Sequence, residues 1–493
     1  MRIKSFLKIA VIAVAIMFII ITFSPLTYTN AVNTQNVQAV TLTSDSGTRT
    51  PIKHVINIYL ENHSFDNLFG IYPFDNYTAN ASISANLSTP LNLLSNKTAR
   101  NMLTEIPTGT FYTKDPHEGY VSYHLDFNHG KLNGFLNGSG SQGLTYYSAA
   151  QEAPQWDIAE QYGLADNFYA PCLSESAPHH LYYVAGYSSI INDYGPPPYI
   201  PYSQSIFGEL SRYNISYGVY LNNTEYRCAS WNFLYGHSHY SSHLQSWNTF
   251  LNQTANGTLP SVSYFFSQGT GKSMGPPNNI LNGEMLLLYV INAVERSPLW
   301  NSTAIFITYD GFGGYYDQVV PPVMDNVQLG LRIPLMVISH YAKEDYISST
   351  QMLVTSILGF IDYNWGMPAL NKMVDDSYLP LDFFNFSQGR QPIQFSPSAG
   401  FPVPSNIHFN LVTNTSKDNY SGLFPMKPQI PLSSLGYNRT GSSSVNLSSL
   451  GIGILNKNEH GYTPFFESIG FYSMLVVLEV AIAAAIITRY RRR

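Results

Sequence analysis

The stretch HVINIYLENHSFDNLFG, residues 54–70, reads as a strand that ends in ligands. Val55, Ile56, Ile58 and Leu60 are branched or aliphatic, with Asn57 and Tyr59 between them, and such residues favour a pleated strand. The apolar run stops at a carboxylate–amide pair, Glu61-Asn62, and a polar turn with Asp66 leads to Gly70. In open α/β sheets, ligands bind outside the carboxyl ends of the strands. Glu61 and Asn62 delivered there by a buried strand would begin an oxygen-rich metal or phosphate site. A plainer reading stands beside it: Asn62 caps the following helix and Glu61 is solvated.

A second strand supplies the partner. AIFITY, residues 304–309, ends at Asp310, and GFGG follows at once. Two strands that each finish in a polar side chain can build one site at one sheet edge, and glycines let backbone approach a ligand closely. The alternative is that Asp310 only starts a glycine turn. Ser176 lies in a turn-rich stretch before a helix expected over 178–185; Pro178 suits a first helical turn, and a helix N-terminus attracts phosphate oxygens. Ser176 as a simple cap is the alternative. Helical spacing also marks 154–168, 284–295 and 349–363, and strands are expected at 215–221 and 333–339. His237, His239 and His243 invite a metal reading, but no Cys or acid accompanies them, and a hydrogen-bonded loop is preferred.

Composition bounds the function. Only 11% of the 493 residues are charged, against 44% hydrophobic, well below the usual quarter or so. A net charge of −6 and no Lys/Arg cluster away from the two ends argue against nucleic acid as the partner. Sparse charge fits an acidic exterior, since few charge pairs are lost as pH falls. Asn-x-Ser/Thr triplets are dense, among them Asn76, Asn80, Asn86, Asn214 and Asn438, which suggests an exported, glycosylated surface. Asn62 also fits the triplet but is expected bare. Cys172 and Cys228 could pair outside the cell or remain separate thiols. Arg2, Lys4 and Lys8 precede an apolar run over 9–23, a signal peptide or short anchor. Residues 469–488 are long enough to cross a bilayer, interrupted by Glu479 and followed by Arg489 and Arg491 to Arg493. Positive residues stay inside, so the bulk of the chain is expected outside as a single-pass membrane protein. The organisation read from this is a signal or anchor (1–30), a linker (31–50), a main domain (51–387), a Pro/Ser/Asn-rich stalk or small β appendage (388–465), the span (469–488) and a basic tail (489–493).

Taken together, the pieces resemble the phosphoesterase family that contains the phosphatidylcholine-type phospholipases C and the respiratory-burst-inhibiting acid phosphatase. The resemblance rests on four blocks in the family's order: IKHVINIYLENHSFDNLFG; NHGKLNGFL with PQWDIAEQYGLADNFYA; SPLWNSTAIFITYDGFGGYYDQVVPP; and LGLRIPLMVIS with TSILGFIDYNWGMPAL. It implies an α/β, alkaline-phosphatase-like three-layer sandwich with a central, mostly parallel sheet; the terminal hydrophobic helices come in addition. It implies that Glu61, Asn62 and Asp310 bind a divalent metal ion and that Ser176 is the nucleophile. His117 matches a histidine of the family's site, and His179 and His180 fall where the family has Asn-Arg or similar; His180 is taken as a second catalytic candidate. The sequence departs from the family at Gly311, where an acid is usual, and at Gln318, Gly275 and Thr355, where histidines are usual. The implied function is an extracellular, membrane-anchored, metal-dependent hydrolase of phosphate esters or phospholipids working through a phosphoseryl intermediate. The competing class is a catalytically impaired surface glycoprotein on the same scaffold. A sulfatase-like relative ranks low, because no Cys-x-Pro-x-Arg block is present.

Overall fold

The computed structural model describes residues 47–72, 101–148, 150–193, 200–221, 234–235, 243–266 and 274–395. Both expected membrane segments, His237, His239, Cys228 and nearly all of the stalk lie outside the described residues. Among the described residues no helix is long and apolar enough to cross a membrane.

Eight strands form the central sheet: β1 (His54–Leu60), β2 (Gly163–Ala165), β3 (Tyr217–Leu221), β4 (Leu244–Ser246), β5 (Val262–Phe266), β6 (Thr303–Tyr309), β7 (Leu335–Ser339) and β8 (Tyr346–Ser348). Their order is β8-β2-β7-β6-β1-β5-β3-β4. All neighbours run parallel except β7, which is antiparallel to both β6 and β2. The sheet is therefore mostly parallel, as expected. Every residue of β5 and β6, and all of β1 after His54, is buried. Strands buried on both faces need a helical layer on each. The helices supply two groups in mutual contact. One contains α3 (Ala153–Gln161), α6 (Trp247–Asn256) and α7 (Ile280–Glu295); the other contains α4 (Ser176–Ala185), α5 (Ile206–Arg212) and α8 (Val354–Trp365). Two short helices, α1 (Phe65–Phe69) and α2 (Tyr120–Phe127), follow the first strand and the Asp115-Pro116-His117 segment.

Two expectations need correction. The helix read over 154–168 stops at Gln161, and the chain turns into β2. Tyr162 leaves helical geometry, and a Cβ on Gly163 would lie 2.4 Å from the Phe383 ring, so only glycine fits where strand meets ring. Leu164 suits either a helical or an alternating pattern, and packing decides for the strand. The main domain also continues past residue 387. Phe395 and Asn292 of α7 exchange hydrogen bonds (2.8 Å each), and the Arg390 amide donates to the His340 carbonyl at 2.7 Å.

Candidate active site

Register builds the centre. β1 and β6 pair in parallel with Leu60 opposite Tyr309, so Glu61 and Asp310 leave the sheet side by side. The Asp310 amide still donates to the Leu60 carbonyl at 2.8 Å, extending the ladder one step. Asn62 then turns into the left-handed region at φ 58°, which Asn tolerates better than most residues. That turn aims its N–H at Asp310 Oδ1 (2.9 Å) and its Nδ2 at Glu118 Oε1 (2.8 Å). Gly313 presses on it: at φ 58°, a Cβ there would be 2.6 Å from the Asn62 Cβ.

The two strand-end turns are stitched together behind the site. Ser64 caps α1 through the Asn67 amide and donates to the Tyr316 carbonyl at 2.6 Å. Arg332, fully buried, binds Asp317 at 2.9 Å and Asp66 at 3.1 Å. The Gln318 amide donates to Asp66 at 2.8 Å. Asp317 and Gln318 are thus spent on architecture, and Thr355 is in a buried hydrogen bond with Ser377 at 2.5 Å.

α4 brings the remaining chemistry. It begins at Ser176, two residues earlier than expected. Ser176, His179 and His180 are spaced i, i+3 and i+4, which puts them on one helical face. The Ser176 hydroxyl and His180 both bond to the Asp310 carboxylate, with His180 Nε2 at 3.4 Å from Oδ2. The His180 ring stacks on Phe266, with centroids 5.5 Å apart. Burial pushes the Asp310 carboxyl up, but His180, the Asn62 N–H and the Ser176 hydroxyl together hold it below the ordinary carboxylate value. His179 is fully buried, and burial pushes its pKa down to about 4 against the Cys172 carbonyl and the Asp310 carboxylate and carbonyl. The phosphate reading of the helix N-terminus meets a competitor: the Ala177 N–H is taken by Asp193 Oδ1 at 2.8 Å.

Sequence reasoning missed the acids. Glu118, Asp115, Glu175 and Asp193 surround the site. Burial is the first cause that raises each carboxyl above its usual value, with neighbouring charges adding for Glu118, Glu175 and Asp193. Asp115 and Glu175 are pushed up to about 7. Among the described residues none of these acids, nor Asp310, is paired with Lys or Arg. His117 is exposed, with its backbone N–H on the Ser139 carbonyl at 2.9 Å, and it is the next residue, Glu118, that reaches Asn62. Glu61 is half-buried at the strand end. His243 belongs elsewhere: it stacks on Tyr217 and bonds that residue's carbonyl at 3.0 Å, the hydrogen-bonded loop that was preferred.

The donor set suits a cation. Glu175 and Asp310 are buried, Asp115 and Glu118 half-buried, with no matching Lys or Arg among the described residues, which is costly unless a positive charge joins them, and the buried His179 Nδ1 makes no hydrogen bond of good geometry. Among the described residues no three His, Cys, Asp or Glu side chains are already gathered as a metal-binding group; the Asn62 amide is the oxygen donor beside Asp310.

The chain is 24% identical to non-specific phospholipase C6 of Arabidopsis thaliana, over 61% of this chain and 64% of that protein. It is 21% identical to the non-hemolytic phospholipase C of Burkholderia pseudomallei, over 64% of this chain and 55% of that one. It thus spans less than two thirds of either relative. A solved protein of the alkaline phosphatase superfamily from Vibrio parahaemolyticus overlays with a TM-score of 0.31 at 11% identity, over 58% of this chain and 78% of its own. The profile of the Phosphoesterase family matches residues 52–368, the span that carries both strand ends and α4, and the chain belongs to that family.

Proposed function

We propose that this chain hydrolyses phosphate esters at the Asn62–Asp310–Ser176 centre, as a metal-dependent phosphatase or phospholipase C. The observation that carries the reading is the Ser176 hydroxyl held on the one carboxylate that register places beside Glu61-Asn62. Glu61, Asn62 and Asp310 would hold a divalent cation. When bound, it supplies charge neutralisation for the phosphoryl oxygens and for the acid cluster. Ser176 attacks phosphorus in line, the ester oxygen leaves, and water then cleaves the phosphoserine. Asp310, kept ionised, fixes the direction of the Ser176 hydroxyl. His180 bonds the same Asp310 carboxylate, and its role is to orient it. His117, in the loop beside Glu118, is the candidate to protonate the leaving oxygen. The apolar ends and dense sugar triplets support an exported, membrane-anchored enzyme acting on extracellular esters or lipid headgroups.

The test is Ser176→Ala in the full-length chain, assayed on an aryl phosphate and on phosphatidylcholine vesicles, with trapping of a phosphoserine from labelled substrate. Loss of turnover on the order of a thousandfold, with no trapped phosphoserine, is expected. Undiminished turnover removes Ser176 as the nucleophile. A wild-type chain that turns over neither substrate favours the impaired surface glycoprotein, whose sign in the structure is the Asp193 carboxylate on the Ala177 N–H.

A further inference from the structure

We propose that His179 is itself a ligand of the cation, its Nδ1 filling the space that a side chain at position 311 would take. The inference rests on the cation reading above and deepens it.

The shorter of the two carbonyl contacts at the ring selects the tautomer. His179 Nε2 lies 2.7 Å from the Cys172 carbonyl oxygen. A carbonyl can only accept, so Nε2 carries the proton and Nδ1 presents a bare lone pair. That atom is fully buried and makes no hydrogen bond of good geometry, and the Asp310 carbonyl near the ring cannot donate to it. Leaving a buried acceptor unmade costs about 1–3 kcal/mol, and native structures keep few such atoms without a reason. A packing role would be served by an apolar residue at no such cost. A metal-bound histidine characteristically donates its other ring N–H to a carbonyl or carboxylate, which fixes the ring. The Cys172 contact has that form.

Nδ1 also lies in the right place. A Cβ built on Gly311 would lie 2.9 Å from His179 Nδ1 and 3.7 Å from Asn62 Oδ1. Both donor atoms therefore border one gap, directly after Asp310. Gly311 leaves that gap open, and the ring of His179 borders it from α4, on the helical face that also carries Ser176 and His180. The donor set becomes an imidazole nitrogen with carboxylate and amide oxygens. Imidazole suits Zn²⁺, Fe²⁺, Ni²⁺ or Cu²⁺, whereas Ca²⁺, Mg²⁺ and Mn²⁺ favour oxygen. The ion class is thus a divalent transition metal.

The experiment uses the full-length chain, stripped with chelator and titrated separately with Zn²⁺, Co²⁺ and Ca²⁺ against a competing dye. Wild type is expected to prefer Zn²⁺ to Ca²⁺. His179→Ala should weaken Zn²⁺ at least tenfold and change the visible Co²⁺ spectrum, through loss of a nitrogen donor. The double variant H179A/G311D should regain Zn²⁺ affinity, because a carboxylate then enters the vacated gap, and should bind Ca²⁺ better than wild type. Should H179A not fold, Gly311→Ala, which sets a methyl 2.9 Å from Nδ1, must weaken Zn²⁺ instead. If H179A or G311A binds Zn²⁺ as wild type does while Asp310→Asn loses it, the inference is overturned and the cation site stands. If wild type binds none of the three ions, both readings fall.

Discussion

Arg332→Ala should unfold the site from behind. The guanidinium is fully buried and meets Asp317 at 2.9 Å, Asp66 at 3.1 Å and the Asp166 carbonyl at 2.8 Å, with its carbon 4.7 Å from the centre of the Phe65 ring. Removing one partner of a buried ion pair costs about 3–5 kcal/mol, because the remaining charge is left uncompensated. Here two carboxylates are left facing each other. Burial and the Asp317 charge already push the Asp66 carboxyl well up, so without Arg332 the pair is relieved only by taking up a proton. The Asp66 carboxyl, with its folded pKa above the unfolded one, confers stability in its protonated form that is present at low pH and lost as pH rises. The penalty should therefore be largest at neutral pH and shrink toward pH 4. For a domain of this size the neutral-pH loss is a fall in Tm on the order of 10 °C. The assay is urea and thermal unfolding of wild type and R332A from pH 4 to 8. R332M/D66N/D317N should recover most of the loss, since replacing a buried ionic cluster entirely is often neutral. A loss below about 1 kcal/mol, or one that does not vary with pH, refutes the idea that this cluster holds the two turns together.

Gly313→Ala should lower turnover at least tenfold and cost about 1–2 kcal/mol, because the new methyl meets Asn62 and the backbone is left-handed there; wild-type kcat/KM would show that Asn62 is not pinned by this contact. Asp310→Asn should abolish cation binding. Because the Asp310 carboxyl is held below its ordinary value, its contribution to stability is present above the ordinary carboxylate pKa and lost as pH falls through the folded one. The difference in Tm between D310N and wild type should then narrow only below about pH 4. Away from the site, burial pushes Asp362 up to about 8 and Asp126 and Glu295 up to about 7. Their protonated forms stabilise the fold at low pH, and that stability is lost as pH rises through 7 to 8. His63, pushed down to about 4 by burial, acts the other way between the ordinary histidine pKa and 4. The acids outnumber it, so the Tm of the chelated chain should be higher near pH 5 than at pH 8, and Asp362→Asn should flatten that slope. A Tm that climbs steadily to pH 8 would count against both the sign and the acidic-exterior reading.

Much of the fold was legible because β1 and β6 are buried on both faces and carry near-continuous apolar runs, each broken by a polar residue at its carboxyl end. Pairing Glu61-Asn62 with Asp310 needed only the rule that parallel strands finish on one edge. The helix ending at Gln161 was misjudged because Tyr162 and Leu164 fit both periods and the contact that decides, Phe383 against Gly163, lies 220 residues away. Glu118 was missed for a similar reason. Next to His117 it looked like the solvated neighbour of a better candidate, and nothing in DPHEGY tells which of the two side chains turns inward to Asn62.

His179 is the more instructive omission. Judged position by position, Gly311 stands where the resemblance leads one to expect an acid and His179 where it leads one to expect Asn or similar, two unrelated departures. In space the glycine's missing Cβ and the histidine's lone pair occupy one gap. The strand ends cannot adjust to a lost ligand, because their directions are set by a ladder that continues through Asp310 and Leu60. α4 can, since a side chain three residues after Ser176 already faces the same point. On the proposal made for His179, the site would draw its donor from the helix while its strands stay fixed. The compensation is visible only when register and helical phase are considered together.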